Sequence, residues 1–178
     1  MFEKNRFAII ELMPQKLWEI EEVKNYLRIS HTYDDKLIDN LIYTAITAAE
    51  NFTKLAIALK CIEYVCNIRN NKIFPLKYYP IVEVLKVSLS YNGEPMMLDQ
   101  EQYYLNQESW LFCLKNSISN KKLTIEYIAG FEEKEVPQSI RYGILLHVAQ
   151  MYDREDGTSS SFSPEIRNLY LPYRQWKV

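Results

Sequence analysis

The side chains best suited to catalysis in this chain are His147 and the two acids after it, Asp153 and Glu155, in the stretch VPQSIRYGILLHVAQMYDRED at residues 136–156. An imidazole held by a carboxylate can act as a general base, because the acid fixes the ring's tautomer and orientation. Helical geometry keeps these groups apart. Six positions along a helix turn two side chains roughly 120° from each other, and eight positions carry them about 12 Å along the axis. Neither acid reaches the ring while the helix persists. His147 also lies at the edge of an apolar stripe, where a histidine is more often a satisfied core or interface residue.

Other candidates fall for comparable reasons. His31 sits in the turn Ser30-His31-Thr32-Tyr33-Asp34-Asp35 with no nucleophile placed to pair with it. Serines 159, 160, 161 and 163 lack the G-x-S-x-G elbow that exposes a nucleophile. Cys113 follows an aromatic strand and reads as core. Cys61 and Cys66 point to opposite faces of a strand and roughly 140° apart on a helix, so they make no zinc clip. Four scattered glycines, at 93, 130, 143 and 157, build no phosphate-binding loop. The residues therefore point to no triad, metal site or cofactor.

Composition narrows the classes further. A length of 178 residues suits one domain, and 48% hydrophobic residues suffice for a sizeable core. The net charge is −2 with both signs interspersed, and the lysines at 115, 121 and 122 form only a local cluster. DNA grip through phosphates needs a basic stripe, so tight autonomous nucleic-acid binding is disfavoured. Three widely spaced cysteines suit a reducing compartment. The apolar segments are too short to span a bilayer and no charged-then-apolar leader opens the chain, so a soluble protein made in a cytoplasm is expected. Asn51-Phe52-Thr53 fits a glycosylation sequon, but inside a predicted helix of such a chain it carries no meaning. Fourteen tyrosines hint at assembly surfaces, since the ring is apolar and its tip polar.

The elements that would position these residues follow from periodicity. Residues 1–16 read as an extended arm, with Phe7-Ala8-Ile9-Ile10 as a short edge strand. A helix is predicted from about Glu19 to Leu27 and another over 34–53. In the second, Leu37, Leu41, Ala45, Ala48 and Phe52 form a stripe that Ile38 and Ile42 widen. From about 59 to 128 the period becomes two: Ile62, Tyr64, Cys66 and Ile68 alternate, and Val82, Val84 and Val87–Leu89 follow Pro80 with a slip that suits a bulge. Asn92-Gly93 marks a hairpin, and residues 103–105, 110–114 and 123–128 read as further strands. Pro137 opens a helix whose stripe is Ile140, Ile144, Val148 and Met151, widened by Leu145 and Tyr152. A flexible serine loop follows, then a short helix from Pro164 to about Tyr170 and an extended tail over 171–178. The expected fold is α+β, a small helical bundle with a mainly antiparallel sheet and a protruding β-hairpin.

Several of these segments, in this order, resemble the head–tail connector (adaptor, or head-completion) proteins of long-tailed phages and gene transfer agents. Ile20-Glu21-Glu22-Val23-Lys24-Asn25-Tyr26-Leu27-Arg28-Ile29 is similar to the family's opening helix, and Asp34-Asp35 to Ala48-Ala49-Glu50-Asn51-Phe52-Thr53 to its long second one. Pro80-Ile81-Val82-Glu83-Val84 through Tyr91, Gly93 and Tyr103 resembles its central hairpin. The most specific part is Tyr127-Ile128-Ala129-Gly130-Phe131, then Val136-Pro137 and the helix to Tyr152 and Arg154; the end at 169–174, with Pro-Tyr-Arg, also matches. Three features depart from the pattern: the long N-terminal arm, the serine loop, and Asp153 between the aromatic and the arginine. The resemblance implies a structural subunit of a homo-oligomeric ring of about twelve copies beneath a portal protein. Such a ring extends the channel through which genomic DNA passes without sequence-specific binding, and it docks a stopper or tail protein below. It also implies a virion location, in phage or prophage, and no membrane. Leu171, Pro172, Tyr173, Arg174 and Trp176 would bind the portal; Tyr152, Arg154 and Glu155 would contact the neighbouring subunit. Other readings are another neck or tail ring component, such as a tail-terminator-like protein, and a small hydrolase with a site assembled from distant residues.

Overall fold

Period-two alternation builds most of the middle of the chain. In the computed structural model, which describes residues 5–12, 17–91, 94–153 and 162–174, eight strands form in chain order. They are β1 (Arg6–Leu12), β2 (Lys60–Ile68), β3 (Ile73–Pro75), β4 (Ile81–Tyr91), β5 (Glu94–Met97), β6 (Tyr103–Asn106), β7 (Leu111–Leu114) and β8 (Lys121–Ala129). Four helices accompany them: α1 (Ile20–Leu27), α2 (Asp35–Thr53), α3 (Gln138–Tyr152) and α4 (Pro164–Tyr170). The chain divides into two compact units, Met1–Met13 with Ala58–Gly130 and Pro14–Ile57 with Phe131–Val178. The first holds the strands and the second the helices.

In the strand unit a five-stranded sheet runs in the order β1-β2-β8-β4-β5, and a three-stranded one in the order β3-β7-β6. Every pairing is antiparallel, as the expected fold requires. One face of the large sheet carries Ile62, Tyr64 and Cys66 of β2 opposite Tyr127, Ile125 and Leu123 of β8, all buried. Beyond β8, the same face continues through Ile81, Val84, Val87 and Leu89 of β4. The uneven spacing of these four residues is the slip seen in the sequence. Pairing skips Val82 and Leu85, so each is an extra residue in a bulge, and both are exposed. A third irregularity skips Ile10 in β1. In the short second sheet, β6 and β7 are the strands expected at 103–105 and 110–114, whereas β3 has no counterpart in the expectations: at three residues it is too short for alternation to register. Tyr91 and Glu94 close the β4–β5 hairpin, while the Asn92-Gly93 turn lies outside the described residues.

The strand unit ends at Gly130, whose φ of 130° suits glycine alone. A Cβ there would meet the Ala58 oxygen at 2.6 Å and the Leu59 Cα at 2.7 Å, both backbone atoms. Close approach of two chain segments thus sets this residue.

In the helical unit, α1 and α2 are joined by an ion pair between the buried Lys24 and a partly exposed acid. The Lys24 ammonium lies 2.9 Å from Asp35 at the start of α2 and 3.5 Å from Glu21. The hydrogen bond to Asp35, above all, raises the lysine's pKa. The buried face of α2 differs from the expected stripe. Ile38, Ile42, Ala45, Ala49 and Thr53 are buried, whereas Leu37 is 48% exposed. The face is turned by roughly 60° because the small residues Ala45, Ala49 and Thr53 let neighbouring elements approach closely. On α3, Ile140, Gly143, Ile144, His147 and Val148 are buried. Gly143 has a packing reason: a Cβ would lie 2.5 Å from Cε1 of the fully buried Tyr170. Helix α4 begins where expected, with Pro164 in its first turn and the Ser163 hydroxyl accepting from the Ile166 N–H at 3.3 Å.

Candidate functional site

The C-terminal end of the helical unit is fixed by an aromatic cluster. Phe162 meets Phe52, Tyr170 and His147 edge-on, with centroids 5.4, 5.3 and 5.0 Å away. Edge-to-face rings pair a positive edge with a negative face, so they hold α4 against α2 and α3 in a defined orientation. Burial pushes the Tyr170 hydroxyl well above its ordinary pKa, and this oxygen finds no hydrogen-bond partner among the described residues. His147 is buried in this cluster while Asp153 is exposed at the helix end, so the structure keeps the two apart as helical spacing requires. Glu155 lies outside the described residues.

The chain leaves the cluster in a way the sequence did not suggest. Residues 171–173 form a 3₁₀ turn, not the start of an extended tail. Pro172 fits the first turn of such a helix, where its missing N–H leaves no bond unmade. The Arg174 guanidinium then packs over the Phe52 ring, 5.0 Å from its centroid. Leu171 and Pro172 are exposed and Tyr173 and Arg174 half-buried, so the first two offer free surface and the last anchors the segment. Trp176 lies outside the described residues.

At the end of α3 the half-buried Tyr152 is already engaged within the chain. Its hydroxyl donates to Asp34 Oδ2 at 2.7 Å, and that bond, ahead of burial, raises the phenol's pKa. His31 Nε2 stands 3.8 Å from the same carboxylate oxygen. Arg154 lies outside the described residues. A third network joins α1 to α3: Arg141 grips both carboxylate oxygens of Glu22, at 2.9 and 3.2 Å, donates to the Leu17 carbonyl and covers Trp18. Its partners lie over a hundred residues away in sequence, so only the fold reveals the fork.

Surface-exposed aromatics are the residues that sequence reasoning left without positions. Tyr33 is 90% exposed beside His31, and Tyr26 and Tyr142 meet edge-on at 6.4 Å on the surface. Their signal was the tyrosine content. Among the described residues, no group of three or more His, Cys, Asp or Glu side chains is placed to hold a metal, and no helix is long and apolar enough to cross a membrane.

Residues 18–122 match the family model of the phage gp6-like head-tail connector protein. The chain belongs to that family. It is thus a structural head–tail connector subunit, as its resemblance implied. The match covers α1, α2, strands β2 to β7 and the start of β8, so both units contribute to it. The connector's fold is also similar to solved structures at low identity. A chain in the neck of an empty gene transfer agent particle, computed with C6 symmetry, superposes with a TM-score of 0.80 at 16% identity, covering 97% of each chain. A chain of the native gene transfer agent virion gives 0.79 at 16%, covering 97% of the connector and 96% of its counterpart. One in the native neck, computed with C12 symmetry, gives 0.73 at 15%, covering 97% of each. A search of curated proteins found no match.

Proposed function

We propose that this connector acts without catalysis, as one subunit of a ring in the neck of a phage-like particle. The ring lies beneath the portal, extends the DNA channel and presents a docking surface to the stopper or tail. The observation that carries this reading is the family match over 105 of 178 residues, reinforced by folds shared with neck chains of particles solved with C6 and C12 symmetry. Synthesis in a bacterial cytoplasm and residence in the virion follow from the same reading. The absence of a basic stripe suits a channel wall, because strong phosphate contacts would hold DNA that must slide.

The portal-facing segment in this proposal is Leu171, Pro172, Tyr173, Arg174 and Trp176. Its anchored part positions the exposed Leu171 and Pro172, and Trp176 adds an aromatic of the kind that dominates interface energetics. The end of α3, with Tyr152, Arg154 and Glu155, contacts the neighbouring subunit. Because the Tyr152 hydroxyl serves Asp34, the ring edge and the two charges beyond it would supply that contact. Truncation after Arg174 tests the portal assignment: the melting curve should stay unchanged, while capture by the cognate portal falls at least tenfold, the scale of losing one aromatic anchor. Capture at full strength by the truncated protein would exclude residues 175–178 from docking.

A further inference from the structure

A ring with rotational symmetry needs two different complementary surfaces on each subunit, one for each neighbour. In the strand unit, two groups of exposed apolar side chains lie at the opposite edges of one sheet. The β1 edge carries Ile9, Ile10 and Leu12; the β5 edge carries Met96 and Met97, with Tyr91 beside them at the hairpin end. Four inter-strand spacings, about 19 Å, separate the two edges. Their net charges differ in sign. Arg6 opens β1 and Lys77 stands beside the strand, 4.6 Å from the centroid of the Phe7 ring, against one exposed acid, Glu11. On and just after β5 stand the exposed acids Glu94, Asp99 and Glu101.

We propose that the β1 edge of one copy seats against the β5 edge of the next, giving the ring a subunit contact in addition to the end of α3. The inference rests on the ring reading above. Each copy would use both edges, so the contact repeats around the ring without leaving either apolar set in water. Pro95 shapes how the seam is made. It has no N–H to donate to an added strand, so side chains meet at β5 without extending the hydrogen-bond ladder. Arg6 and Lys77 then face the partner's acids, which fixes the order of edges and opposes β1–β1 or β5–β5 pairing.

Charge exchange tests this. R6E/K77E makes both edges acidic, and E94K/E101K makes the β5 edge largely basic. Each variant should melt as the wild type does and self-associate at least tenfold more weakly in analytical ultracentrifugation and on portal-bound particles, since facing like charges is costly. An equimolar mixture should recover assembly, because the acidic β1 edge of one meets the basic β5 edge of the other. Wild-type rings with undiminished rings from both variants would overturn the seam while leaving the ring reading intact. A wild type that forms no ring on its portal would overturn both.

Discussion

Each of the two units puts the same residue types to opposite ends, and tyrosine shows it best. In the strand unit Tyr64 and Tyr127 are core residues, the Tyr127 hydroxyl donating to the Lys77 carbonyl at 2.7 Å, while Tyr91 and Tyr104 are exposed. In the helical unit Tyr26, Tyr33, Tyr43 and Tyr142 are exposed, while Tyr170 is buried with a hydroxyl that finds no partner among the described residues. A tyrosine-rich composition therefore does not by itself mean an interface. Position within each unit decides between core packing and a surface free for a partner. Glycine divides similarly: Gly130 yields to backbone crowding and Gly143 to a packed ring.

Substitutions can break this comparison, and the largest effect belongs to Gly130→Ala. It adds a Cβ against two backbone atoms at a left-handed φ, so a loss of about 3 kcal/mol is expected in denaturant unfolding. Gly143→Ala should cost less, about 1–2 kcal/mol, because the clash there is with a side-chain ring that can shift in part and alanine favours the helix over glycine. Equal losses would erase the distinction between the two glycines. Next come two tyrosine-to-phenylalanine changes of opposite sign. Tyr127→Phe removes a made hydrogen bond and should destabilise by about 1 kcal/mol. Tyr170→Phe removes an unsatisfied hydroxyl and should be neutral or stabilising by up to about 1 kcal/mol. A loss at Tyr170 matching that at Tyr127 would reveal a partner for its hydroxyl.

The smallest expected effect is on the alkaline limb of the stability profile. Lys24 has its folded pKa raised, chiefly by the hydrogen bond to Asp35. Its contribution is complete below the unfolded value of about 10.5 and disappears as pH rises through the higher folded value. The buried tyrosines act in the same direction, since their raised pKa values favour the neutral form. Stability should fall above about pH 10, and Lys24→Met should flatten part of that fall. An unaltered slope in the variant would remove Lys24 from this account.

Much of this architecture was legible in sequence because β2 and β8 alternate over nine residues each and α2 and α3 keep a helical period. The bulges in β4 were visible as a slip, though not which residues they would expel. Short or long-range features were not legible. Strand β3 has too few residues to alternate, and the turn of the α2 face depends on which partner the small alanines meet. The 3₁₀ turn at Leu171 reads as an extended break because proline is common in both. At the candidate surfaces, the Tyr152–Asp34 bond joins residues 118 positions apart, so nothing local announced that the hydroxyl was taken.

Assembly on the portal is the most direct test of a ring subunit. Full-length protein mixed with its cognate portal and imaged by electron microscopy should show a rotationally symmetric ring of connector density beneath the portal, continuing its channel. Portals without added density, beside connector that stays free in solution, would contradict the ring reading.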